Sequence, residues 1–77
     1  MIIEFTDIHV EGDFLCAIGH NVDWGTTHKV RVHLKKDLFE AEPENITFMF
    51  EQAIFHLRTA YRKRGKKLGT TYNVVYG

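Results

Sequence analysis

The chain has 77 residues, 44% apolar and 13% aromatic, and its ten Lys and Arg balance ten Asp and Glu to a net charge of zero. This is the composition of a single folded domain, read as spanning residues 1–77, and it excludes a generically polybasic nucleic-acid or membrane binder and an acidic nucleic-acid mimic. So short a chain removes only about 60% of its unfolded surface from water, so self-association or a partner is expected to add stability.

The first third alternates with period two, is rich in Ile, Val, Phe and Thr, and breaks at glycines, which predicts three strands over about 2–10, 14–22 and 26–35. A three-residue loop Glu11-Gly12-Asp13 pairs Val10 with Phe14, Ile8 with Cys16, Thr6 with Ile18 and Glu4 with His20. The apolar phase changes between Ile3/Phe5 and Ile8/Val10, which points to a bulge near Thr6–Asp7 or to a strand apolar on both faces. In a regular strand, Ile3, Phe5 and Leu15 would lie on the sheet face away from the core.

A second three-residue loop, Asp23-Trp24-Gly25 with Gly25 left-handed, pairs Val22 with Thr26, His20 with His28, Ile18 with Val30, Cys16 with Val32 and Phe14 with Leu34. That register makes one face almost wholly apolar and places Cys16 in it as a small buried hydrophobe.

Pro43 suits a first helical turn, with Glu40, Glu42 and Glu44 near the positive end of the helix dipole. The predicted helix runs for about 22 residues to Gly65, just after Arg62, Lys63 and Arg64. Its core arc holds Ile46, Met49, Phe50, Ala53, Ile54, Leu57, Ala60 and Tyr61. Residues 71–76 read as a final strand, carried by a right-handed crossover to the edge beside the first. The expected fold is α+β: a three-stranded antiparallel meander, one long amphipathic helix on one sheet face and a short C-terminal strand, in the order β-β-β-α-β.

Phe48 and Phe55 fall opposite the core arc, in line with Arg62 and beside Arg58, and Trp24 stands at a loop tip. Aromatic side chains flanked by arginine are the usual anchors of protein interfaces. Phe48, Phe55, Arg58, Arg62 and Trp24 are therefore the candidate partner-binding set. A second candidate is the basic cluster Arg58, Arg62, Lys63, Arg64, Lys66 and Lys67 around Tyr61, which has the composition of a nucleic-acid contact. Cations at a helix C-terminus are also expected from the dipole alone.

Five histidines form a third signal, and the registers above set Glu4, His20 and His28 side by side on three strands. Two imidazoles and one carboxylate suit zinc or iron, or a protonation switch near neutral pH. His33 is expected on the outer sheet face.

Catalytic signals are thin. Serine is absent, and Gly65-Lys66-Lys67-Leu68-Gly69 follows a helix where a phosphate loop would precede one. The single Cys16 allows no internal disulfide and suits a reducing, cytoplasmic compartment, and neither a targeting nor a membrane segment is expected. The reading is a non-catalytic protein without a cofactor. It acts by protein–protein interaction as a regulator or inhibitor of a partner and self-associates. The alternatives are a nucleic-acid-binding module at the helix end and a metal- or pH-responsive histidine site.

The zero charge hides opposed blocks: five acids in residues 1–28, four bases in 29–36, five acids in 37–51 and six bases in 52–77. Such a segregated surface suits head-to-tail self-pairing or a partner of either sign.

Overall fold

The computed structural model describes residues 1–76. Its elements are β1 (Ile2–Glu11), β2 (Phe14–Asn21), β3 (Thr26–His33), β4 (Phe39–Glu42), α1 (Phe48–Arg64), a 3₁₀ turn (Gly65–Leu68) and β5 (Tyr72–Val75). The strands form one antiparallel sheet in the order β4-β3-β2-β1-β5, and α1 packs on one of its faces. The expected α+β architecture is present, with the last strand beside the first.

β4 is an additional strand beyond the four expected. Its alternation is only four residues long, with Phe39 and Ala41 facing in and Glu40 and Glu42 facing out. Those acids belong to this edge strand rather than to the start of the helix. Pro43 lies outside α1, which begins five residues later and has 17 residues. The helix starts where Thr47 caps it, its hydroxyl accepting the Phe50 N–H at 3.1 Å. It stops at Gly65, whose φ of 57° places it in the left-handed region as expected.

The β2–β3 register differs by one residue from the expected one. Asn21 pairs with Thr26, so the loop has four residues, Val22–Gly25. The Asn21 side chain causes this: its Oδ1 accepts the N–H groups of Asp23 and Trp24 at 3.1 and 3.2 Å, while its carbonyl accepts the Gly25 N–H. Because side chains alternate, one step exchanges the faces. Ala17 now pairs with Val30 and Leu15 with Val32 on the core side, while Phe14, Cys16 and Ile18 move to the outer face.

On β1 the bulge lies where the phase change suggested. Glu4 pairs with His20 and Thr6 with Ile18, as expected, and then the register shifts before His9. Beyond the shift His9 pairs with Cys16 and Glu11 with Phe14, leaving a two-residue turn, Gly12-Asp13, instead of three. The extra residue lets Ile3, Phe5 and Ile8 all face the helix. Ile3, Phe5 and Leu15 are thus fully buried core residues, not members of an open face. They pack with Val30, Val32, Phe50, Ile54 and Leu57.

Candidate functional site

The sheet face opposite α1 carries no helix. Along it run Ile2, Glu4, Thr6, His9 and Glu11 from β1, Phe14, Cys16, Ile18 and His20 from β2, Lys29 and Arg31 from β3, and Glu40 and Glu42 from β4. Arg31 bridges to Glu40 at 3.6 Å and lies over the Phe14 ring, 4.3 Å from its centroid. Phe14 in turn meets His33 edge-on, so His33 faces outward as expected.

The hairpin end of this face gathers apolar side chains around one charged pair, the N-terminal amine 3.8 Å from Asp23, whose carboxylate also accepts the Ile2 N–H. Ile2 pairs with Val75, the Val22 N–H donates to the Ile2 carbonyl at 3.0 Å, and Trp24 follows at the tip. Trp24 is 63% and Val75 67% exposed. These four residues are most of the seven large apolar side chains left exposed.

At the other end a cavity of about 370 Å³ opens to solvent, with Asp7, His9, Glu11, Cys16, Arg31 and Glu40 in its wall. His9, Glu11 and Cys16 bring an imidazole nitrogen, a carboxylate oxygen and a thiol sulfur within 4.8 Å of one another. His9 Nδ1 lies 2.7 Å from the Asp7 carbonyl and Nε2 lies 2.9 Å from a Glu11 oxygen. The Asp7 carbonyl, followed by the Glu11 carboxylate, favours the imidazolium and raises the His9 pKa above 6.5. The Glu11 carboxyl is lowered from 4.5, first by His9 and then by the Cys16 thiol. Burial, then the neighbouring Glu11, pushes the Cys16 thiol up.

A raised histidine contributes stability that is complete below its ordinary 6.5 and fades as pH rises through the higher folded value. Glu11 contributes above 4.5 and fades as pH falls through its lower folded value. The pair is therefore whole between 4.5 and 6.5. In an NMR titration His9 should titrate above 6.5, and Glu11→Gln should move it back down without returning it fully, since the Asp7 carbonyl remains. A wild-type value at or below 6.5 would show that Glu11 and Asp7 do not hold the ring.

The structure separates the expected sites. Glu4 and His20 do adjoin on the open face, but His28 pairs with Gly19 and points to the core side, its Nδ1 donating to the Pro43 carbonyl at 2.7 Å. The Glu4–His20–His28 set is thus broken by the one-residue register step. His20 instead bonds the Thr27 hydroxyl at 2.9 Å.

The helix-back set also divides. Phe48 is 71% exposed, but Phe55 packs edge-on against Phe39 and under Arg58. Arg58 is buried and donates to the carbonyls of His33 and Lys36 and to Asp37. Arg62 donates to the Leu34 carbonyl at 2.6 Å. Both arginines hold the segment joining β3 to β4, but only Arg58 is buried, so Arg62, Lys63, Arg64, Lys66 and Lys67 remain exposed.

Sequence reasoning did not find the His9–Glu11–Cys16 cluster. The signal was His9-x-Glu11 on one face of a strand just after a phase change, which needs the correct register to meet Cys16. No helix is long and apolar enough to cross a membrane among the described residues. No family profile, curated protein or solved structure matches the chain.

Proposed function

We propose that this chain is a small non-catalytic protein-binding module that self-associates and acts by occupying a partner as a regulator or inhibitor. Its contact surface is the hairpin end of the open sheet, centred on Trp24, with Phe48 as an outlying anchor; Phe55, Arg58 and Arg62 serve the fold. The observation that carries this reading is the exposed apolar set Val75, Ile2, Val22 and Trp24, which ends on β5, a sheet edge without a single charge. The opposite edge, β4, is equally short but carries Glu40 and Glu42 and is followed by Pro43. Charged and proline-flanked edges resist pairing, whereas a bare one is a template for another strand. Antiparallel pairing of β5 with β5 of a second copy would join two such sets across a two-fold axis. The single free thiol, Cys16, fits a reducing cytoplasmic setting.

Light scattering after gel filtration tests this directly. The wild type should run as a dimer, and Val75→Lys and Trp24→Asp should each shift it toward monomer with an unchanged circular dichroism spectrum. A wild type that stays monomeric throughout its soluble range, or variants that leave the dimer intact, would refute the surface.

A further inference from the structure

We propose that His9, Glu11 and Cys16 form a binding site for a zinc-type divalent ion on the open sheet face, separate from the interface assigned above. The first support is the donor set itself. Nitrogen, oxygen and sulfur ligands around a tetrahedral ion sit about 3.3–3.8 Å apart, given metal–ligand distances near 2.0–2.3 Å. The three donor atoms here all lie within 4.8 Å. Small rotations of His9 and Glu11, both exposed, close that gap, while Cys16 is held at 5% exposure. A thiolate and an imidazole favour zinc, cobalt or a similar ion over magnesium or calcium.

The second support is the way β1 is bent to make the cluster. Without the bulge, His9 would share the phase of Ile3 and Phe5 and face the core. The register shift between Thr6 and His9 sends His9 and Glu11 to the outer face and sets His9 directly across from Cys16. Asp7 takes φ 53° to do so, the only positive φ outside glycine among the described residues. Asp is one of the few side chains other than glycine that readily take that region, and here it lets the bulge form.

The third support is the histidine's hydrogen bonding. A carbonyl can only accept, so the 2.7 Å contact makes Nδ1 the donor to Asp7. Nε2 is thereby turned toward the cluster, 2.9 Å from a Glu11 oxygen. A backbone carbonyl behind the distal nitrogen is also how metal-binding imidazoles are usually oriented.

Binding would put the His9 imidazole, a Cys16 thiolate whose proton is released to solvent, and the Glu11 carboxylate on the ion. The cavity leaves a fourth position open to water or a small ligand, with Lys29 in its wall and Arg31 paired across from Cys16 on β3.

The test is cobalt titration of the full chain, read by absorbance. A site of this kind shows thiolate-to-cobalt charge transfer and the intense visible bands of a tetrahedral ion, at one equivalent. Zinc should quench both signals and raise the melting temperature, with chelator reversing the rise. His9→Gln, at an exposed position, should weaken binding at least tenfold, and Cys16→Ser should abolish the charge-transfer band. His20→Ala, a histidine on the same face outside the cluster, should change neither. Absence of the thiolate band in the wild type, or zinc binding that survives His9→Gln, would overturn the site.

Discussion

Gly19→Ala is expected to destabilise the protein by about 1–3 kcal/mol, and Gly19→Val by more, because the position has no room for a side chain. A Cβ there would lie 2.7 Å from Phe50 Cζ and 3.1 Å from Phe5 Cε1. Elsewhere in a strand the same change would gain roughly 0.5–1 kcal/mol by removing glycine's excess freedom in the unfolded chain. Overpacking decides the sign here, since the Phe50 ring is wedged between Phe5 and His28 and cannot swing aside. Urea unfolding measures the loss, and Phe50→Leu in the Gly19→Ala background should recover part of it through the space it frees. A Gly19→Ala variant as stable as wild type would mean that the ring yields more easily than its packing implies.

Arg58→Ala should cost about 2–3 kcal/mol, although arginine on the back of a helix usually contributes little. The guanidinium donates to two backbone carbonyls, His33 at 3.2 Å and Lys36 at 2.6 Å, and its removal leaves them unpaired under the β3–β4 connection. It also covers the Phe55 ring at 4.8 Å. Arg58→Lys should recover little, because one ammonium cannot span both carbonyls and Asp37 as a planar fork does. Asp37→Ala should cost less than about 1 kcal/mol, since its side chain is 85% exposed and exposed ion pairs are weak. Equal losses from Arg58→Ala and Asp37→Ala would shift the weight from the carbonyls to the ion pair.

The two changes bear on what the sequence revealed. Gly19 lies in a stretch whose alternation plainly marks a strand, yet its contact with Phe50 depends on which face it occupies. Arg58 lies at a helical position that periodicity assigns to solvent. It is buried because β4 and its connection, too short to leave a periodic signature, wrap around to meet it.

The same division runs through the candidate surfaces. Trp24 at a loop tip was legible, because hairpin loops with a left-handed glycine are encoded locally. Of its apolar neighbours, Val22 shares its loop, but Ile2 and Val75 come from two distant segments that only the sheet order brings near. Phe48 and Phe55 look equivalent on a helical projection. They differ because Phe39 covers only the second.

By itself the sequence determined the fold class, the glycine at the end of α1 and the inward arc of the helix, and it narrowed β1 to a bulge or a strand apolar on both faces. Each of these follows from side-chain periodicity or from the backbone freedom of one residue, and both are local properties. The tertiary structure decided the hairpin registers, the extra edge strand and hence which titratable groups meet. One side-chain oxygen on Asn21 shifts the β2–β3 pairing by a residue, and a strand's period of two turns that shift into an exchange of faces. His28 keeps the core face while His20 turns outward away from it, and Cys16 comes out to stand across from His9.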